Sequence, residues 1–211
     1  MHNLASRFRA LLHEHLSGIC ALTDAQADRL YGHFRLLSYW NKRINLTSIR
    51  DFDTAVLRHY CESLFFAARL PKSFVSIADI GSGAGFPGIP IAVLRPDCQV
   101  ALIESVQKKV AFLREATRGW ENVRVIARRA EDVEERFDLI VARAVSPKDV
   151  VRLVPRLAPA VGLLTGEDDK SKLRKINDIT WDHSERMPWG QHRVLMTGHH
   201  VPRETNPSVI R

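Results

Sequence analysis

The residues best able to do chemistry lie in one run, Asp79-Ile80-Gly81-Ser82-Gly83-Ala84-Gly85-Phe86-Pro87-Gly88. The run follows a β-rich stretch and precedes a helical one, the setting that a nucleoside-cradling loop requires. Glycines there permit a tight turn and let a ligand approach the backbone closely. A helix N-terminus behind the loop favours a negative group, and Pro87 suits a first helical turn, where its missing N–H is no loss. Two cofactor classes meet this description. Gly83 to Gly88 satisfies G-x-G-x-x-G, the dinucleotide fingerprint. Asp79, two residues ahead of Gly81, turns the same run into D-x-G-x-G-x-G, typical of S-adenosylmethionine sites, with the acid near the amino-acid part of the cofactor. A dinucleotide site keeps that strand end apolar, because a carboxylate would repel pyrophosphate. Glu104 closes the next expected strand, 23 residues after Gly81. A carboxylate there accepts hydrogen bonds from both ribose hydroxyls in either class. Loop and acid together define a nucleoside site, and Asp79 tilts it toward S-adenosylmethionine; an NAD(P)-dependent oxidoreductase is the enzyme alternative.

Hydrophobic periodicity supplies the elements that must position these residues. Phe8, Leu11, Leu12, Leu16 and Ile19 repeat at the three-four spacing of a helix. Thr23 with Gln26 fits a capping box, with Leu22 as a staple, and opens a helix facing Leu30, Tyr31, Phe34, Leu37 and Trp40 inward. A third helix is expected from near Asp53, burying Val56, Leu57, Tyr60 and Leu64 and ending before Pro71. Beyond Ser73 the period changes. Val75–Ile80, Gln99–Glu104, Asn122–Ala127, Leu139–Ala142 and Val161–Thr165 read as strands, separated by helical patterns at Pro87–Leu94, Val106–Arg118 and Lys148–Leu157. Such alternation implies βαβ units and a mostly parallel sheet. His192–Thr197 reads as a further strand of unassigned pairing, and the charged segment from Glu167 to Trp181 carries no assigned element. The expected fold is α/β, a Rossmann-like S-adenosylmethionine-dependent methyltransferase fold. A helical N-terminal extension (1–70) and a cofactor-binding core (71–211) would form a single domain.

Composition narrows the function classes. A chain of 211 residues holds one well-filled core. No apolar run approaches the roughly 20 residues of a membrane span, and the N-terminus lacks the order of a secretory signal, so a cytoplasmic protein is expected. Cys20, Cys61 and Cys98 are too far apart for a C-x-x-C motif, and Cys61 and Cys98 read as core residues. His199-His200 is no metal pair, since neighbours on a strand point to opposite faces. The net charge of +7 is spread over Lys42-Arg43, Arg50, Arg58, Lys108-Lys109, Arg124 to Arg129 and Lys170 to Lys175. Such a surface suits a polyanion or is simply solvated. It leaves a non-catalytic RNA-binding module as a third reading.

Two further runs precede the glycine loop in order. Asn45-Leu46-Thr47-Ser48-Ile49-Arg50-Asp51, Arg58-His59-Tyr60-Cys61-Glu62-Ser63-Leu64 and the loop ending Phe86-Pro87-Gly88-Ile89-Pro90 resemble the RsmG (GidB) family, from about Trp40 to Arg143. Its members methylate guanine N7 in a loop of the 16S rRNA of the bacterial small ribosomal subunit. The resemblance implies cofactor contacts at Gly81 and Phe86, an adenine site at Ala130-Glu131, and an arginine near the reaction centre at Arg143. It also implies 16S rRNA or the small subunit as partner, with no membrane and no obligate protein partner. One departure is Thr165, where the family commonly has a lysine.

Guanine N7 offers a lone pair and no proton, so methyl transfer needs in-line approach and exclusion of water rather than a general base; no catalytic side chain or metal is expected. The product ring is cationic, so Arg143 is expected to orient cofactor or phosphate rather than the base. N7 is hidden in a regular RNA helix, so the target belongs in a loop, where an aromatic ring can stack on the displaced base. Phe86, Tyr39, Trp40 and Tyr60 are the candidates, although helical spacing puts the last three in the core. His59 could line the substrate pocket, but a lone helix histidine is ordinarily a packing residue.

Overall fold

The computed structural model describes residues 2–190 and 192–201. Helix α1 (His2–Leu16) buries Phe8, Leu12 and Leu16 along one stripe. Helix α2 (Asp24–Trp40) starts at the expected capping box: the Gln26 N–H donates to Thr23 Oγ1 at 3.2 Å, and the Thr23 N–H donates to Gln26 Oε1 at 2.9 Å. The expected third helix begins one residue early at Phe52, because the Asp51 side chain accepts the Thr54 N–H at 2.8 Å. It is also not uniform. Helix α3 (Phe52–Ala55) passes into a π-helical segment (Val56–Cys61) before resuming as α4 (Glu62–Arg69). Val56, Tyr60 and Leu64 are fully buried, as their spacing predicts.

The sheet has seven strands: β1 (Ser76–Ile80), β2 (Gln99–Ile103), β3 (Val123–Ile126), β4 (Leu139–Arg143), β5 (Ala160–Gly166), β6 (Ile179–Arg186) and β7 (Arg193–His200). Their order is β3-β2-β1-β4-β5-β7-β6, with β1 to β5 parallel and β7 antiparallel to both its neighbours. A dinucleotide-binding sheet runs 3-2-1-4-5-6; here an antiparallel strand stands between the fifth and sixth. The crossovers are α5 (Gly88–Leu94), α6 (Gln107–Ala116) and α7 (Pro147–Leu157).

Each strand feeds two cores by its period of two. Ile77 and Leu139 face α1, α2, α4 and α5, while Ala78 and Ile140 face α7. Gly162 is the close approach on the first face: a Cβ there would lie 2.6 Å from the Phe66 ring of α4. The N-terminal helices therefore pack directly on the sheet, and Gln26 Nε2 donates to the Val93 carbonyl of α5 at 2.8 Å. Cys61 and Cys98 are buried, and burial pushes both thiols up.

Two elements go beyond the sequence reading. Helix α8 (Glu167–Leu173) forms in the charged segment because three acids occupy its first turn and lysines its last, which suits the helix dipole. The pairs Lys170–Glu167 and Lys172–Asp169 add to it. Strand β6 carries mostly polar residues that are not deeply buried, so it shows no apolar alternation; it is an edge strand fixed by β7. Among the described residues, no helix is long and apolar enough to cross a membrane.

Candidate functional site

The glycine run forms the turn from β1 into α5. Gly81, Gly83 and Gly85 adopt left-handed φ of 66°, 58° and 87°, and a Cβ on Gly81 would sit 2.8 Å from Val145 Cγ2. The Gly81 and Ser82 N–H groups donate to the Ile103 carbonyl at 2.9 and 3.1 Å, pinning the turn to β2. Asp79 is fully buried, and its Oδ2 accepts the Gly88 N–H at 3.0 Å. Asp79, rather than a ligand, thus meets the first N–H of α5. Burial raises its carboxyl to about 7 against the lowering by the Gly88 N–H. Glu104 bridges the loop from the end of β2: Oε2 accepts from Gly83 N at 3.0 Å and Oε1 from Val106 N at 2.8 Å.

Beside this turn lies a cleft of ≈ 360 Å³, whose lining includes Gly81 to Ala84, Phe86, Arg143 and, opposite, Leu46 to Ile49 with His59. The 46–49 part of that wall has no regular secondary structure and is held mainly by Asn41, with Arg50 Nη1 donating to the Asn41 carbonyl at 3.3 Å. Asn41 Oδ1 accepts the Leu46 and Thr47 N–H groups at 2.9 and 3.0 Å, and its Nδ2 donates to the Thr47 carbonyl at 2.9 Å. Thr47 Oγ1 accepts the Ile49 N–H at 3.1 Å and lies 2.8 Å from His59 Nε2. His59 stacks on Phe86, with ring centroids 4.6 Å apart. Burial, then Arg143, holds its imidazole down to about 3, so it is neutral at pH 7.

The π-helical segment supplies a second link. Tyr60 Oη lies 2.8 Å from His33 Nδ1, and His33 Nε2 lies 3.0 Å from the carbonyl of Ala84 in the loop. A carbonyl only accepts, so Nε2 carries the proton and Nδ1 takes the tyrosine's. Burial holds His33 down to about 4.

Arg143 leaves β4 beneath the cleft, immediately before Ala144 at φ 56°. Its Nη2 is 3.8 Å from Glu62 Oε2, which Arg193 of β7 also reaches at 3.0 Å. Arg58 meets Glu62 Oε1 at 3.4 Å. Glu62, 2 % exposed, is thus a buried carboxylate shared by three arginines. Burial lowers Arg143 to about 10, so it stays charged. Arg143 Nη1, His59 Nδ1 and Asp79 Oδ1 are buried and make no hydrogen bond among the described residues.

The cleft therefore gathers Gly81, Phe86 and Arg143, with Glu104 on its loop. Ala130 and Glu131 stand apart from that lining, in a 3-10 turn after β3, where the Ala130 carbonyl accepts from Arg156 Nη2 at 2.7 Å. Of the aromatic candidates, Tyr60 and Phe86 are core, and Trp40 is half-buried with Nε1 donating to Glu115 at 3.1 Å. Tyr39 corrects the spacing argument: it is 55 % exposed, because it follows Ser38 on the solvent side of α2. His33, Glu62 and Arg193 carried no local signal, since they meet across distant segments; Asn41, whose partners Leu46 and Thr47 are close in sequence, lies in a stretch with no periodic pattern to single it out. Among the described residues no group of side chains could hold a metal.

The family model for rRNA small subunit methyltransferase G matches residues 26–162. The chain belongs to that family. A relative in Leptothrix cholodnii, named ribosomal RNA small subunit methyltransferase G, is 42% identical over 150 residues, covering 66% of this chain and 68% of its own. Among solved structures, a putative RNA methyltransferase from Pyrococcus horikoshii superimposes with TM-score 0.56 at 12% identity, covering 82% of this chain and 98% of that one. A SAM-dependent methyltransferase from Aquifex aeolicus gives TM-score 0.50 at 15% identity, over 60% of this chain and 82% of that one. These likenesses establish the fold. The segment shared with the family holds Gly81, Phe86, Glu104, Ala130, Glu131 and Arg143, whereas α1, β6 and β7 lie outside it.

Proposed function

We propose that the protein transfers a methyl group from S-adenosylmethionine to N7 of a guanine in small-subunit (16S) ribosomal RNA, at the cleft beside the glycine turn. The observation that carries this reading lies inside the family-matched segment. There a left-handed glycine turn lies among buried polar atoms of Asp79, His59 and Arg143 that make no hydrogen bond among the described residues.

The residues suit that cofactor. The charged, desolvated Arg143 Nη1 suits a carboxylate, and Glu104, with two N–H donors bound, keeps lone pairs for ribose hydroxyls. Gly81 and Phe86 would hold the cofactor from the loop, Ala130 and Glu131 at the adenine, and Arg143 at the charged end. When bound, S-adenosylmethionine supplies an electrophilic methyl group.

Guanine N7 has no proton to lose, so the chain's tasks are orientation and exclusion of water. Leu46, Ile49 and Phe86 give the cleft apolar surface. Neutral His59 adds no positive charge beside a ring that becomes cationic, and Glu62 offsets the charge of Arg143. In this reading the substrate RNA, free or in the small subunit, is the partner and the setting is cytoplasmic. Incubation with labelled S-adenosylmethionine and undermodified small subunits or their RNA should place label on guanine N7. Label on another base, or none on RNA, overturns the reading.

A further inference from the structure

Between Asp28 and Asp51 the chain carries Arg29, Arg35, Lys42, Arg43 and Arg50 and no acid. Arg29 turns away, its guanidinium 4.9 Å from the Trp120 ring. Arg35, Tyr39 and Arg43 follow one another at spacings of four, which puts them on one side of the helical path, and all three are exposed. The Arg43 guanidinium lies 4.2 Å from the Tyr39 ring centre. Lys42 and Arg50 flank a groove of ≈ 230 Å³ that shares Thr47, Ile49 and His59 with the cofactor cleft. The nearest acid of the neighbouring helix, Glu115, is engaged by Trp40 Nε1. An acid-free cationic path bearing an exposed ring thus runs along the end of α2 and over the 42–50 segment into the cleft.

We propose that this path holds the single-stranded RNA flanking the target nucleotide, with Arg35, Lys42, Arg43 and Arg50 on phosphates and Tyr39 as a stacking platform for a neighbouring base. The proposal rests on the methyltransferase reading and adds the surface by which its substrate is held. Single strands are bound by positive grooves that follow the backbone and by rings on which bases stack. An arginine already against one side of Tyr39 keeps the ring oriented and adds a cation beside the base.

The test measures direct binding of undermodified small-subunit RNA, and the KM for that RNA in methyl transfer, with cofactor affinity followed by calorimetry. Tyr39→Ala should weaken RNA binding about 5-fold or more, while Tyr39→Phe should stay within about two-fold of wild type, because it keeps the ring. The double variant Lys42→Gln/Arg43→Gln should weaken binding and flatten its dependence on salt. Cofactor affinity should not move in any of them. Arg152→Gln, on the far helix α7 with its side chain 67% exposed, should leave RNA binding unchanged. RNA binding unaltered in Tyr39→Ala and in the double variant overturns the track, as does an equal loss in Arg152→Gln. Losses on assembled subunits but not on free RNA assign the surface to a protein partner and overturn it too. A wild type that binds RNA through this path yet methylates none would strike the functional reading and leave the track standing.

Discussion

His33 is the residue through which α2 reaches the glycine loop, by a chain from Tyr60 Oη to the Ala84 carbonyl. Removing a buried partner strands the groups it served, at about 1–3 kcal/mol. His33→Ala should therefore weaken S-adenosylmethionine binding roughly 5- to 100-fold in calorimetry, and His33→Gln, which can still donate to Ala84, should recover part of it. The same residue sets an acid limit. Its folded pKa of about 4 lies below the ordinary 6.5, so the unfolded chain binds the proton first. The contribution is intact above pH 6.5 and is lost as pH falls toward 4, on the order of 3 kcal/mol. Urea titrations from pH 7 to pH 4.5 should show a shallower loss in His33→Gln than in wild type; parallel curves would refute the assignment. Glu62 gives a third expectation. Glu62→Gln leaves three arginines without their shared carboxylate, two of them less than a third exposed, and should cost about 3–5 kcal/mol in unfolding titrations. None of these roles was legible in the sequence. His33 sits on the apolar stripe between Leu30 and Leu37 and reads as core. Its partners lie 27 and 51 residues away, and those of Glu62 reach 131 residues away.

At the scale of elements, what could be read and what could not divide by the range of the interactions. The α2 cap, the strand–loop–helix around Gly81 and the helical face of Val56, Tyr60 and Leu64 are local patterns, and all formed. The π-helical segment has no such mark: a wider turn keeps the apolar period roughly intact while turning His59 onto Phe86 and Tyr60 toward His33. Edge strand β6 shows little apolar alternation because only its start, Ile179 and Trp181, packs on the core. The 42–50 wall likewise looks like an ordinary connection, and Asn41, with support from Thr47 and Arg50, makes it a fixed surface. Asn41→Ala removes three hydrogen bonds to Leu46 and Thr47, a local loss, since the segment contributes little to either core. Trypsin should then cut at Lys42, Arg43 or Arg50 several-fold faster than in wild type, with the global unfolding midpoint moved by only a few degrees. Unchanged cleavage would show that the wall is held by something other than Asn41.

The whole molecule shows why the family-matched segment cannot be the complete folding unit. The match ends at residue 162, inside β5. Without β7, the hydrogen-bonding edge of β5 from Ala160 to Gly166 would be bare. Leu195 is fully buried in the core under the N-terminal helices, and Val194 and Met196 in the core under α7, so one strand closes both faces of the sheet. Arg193 of the same strand is also the nearest of the three arginines to Glu62, which ties the edge of the sheet to the residue that holds Arg143. Losing β7 would strip apolar area from two cores, unpair a central strand edge and leave Glu62 short of a partner. An exposed apolar edge of that length is a template for association. A chain truncated after Gly166 should therefore lack a cooperative thermal transition and elute as aggregate in size exclusion. A truncated chain that remained monomeric and unfolded cooperatively would show that the parallel core stands without β7, and that Glu62 needs only Arg58 and Arg143.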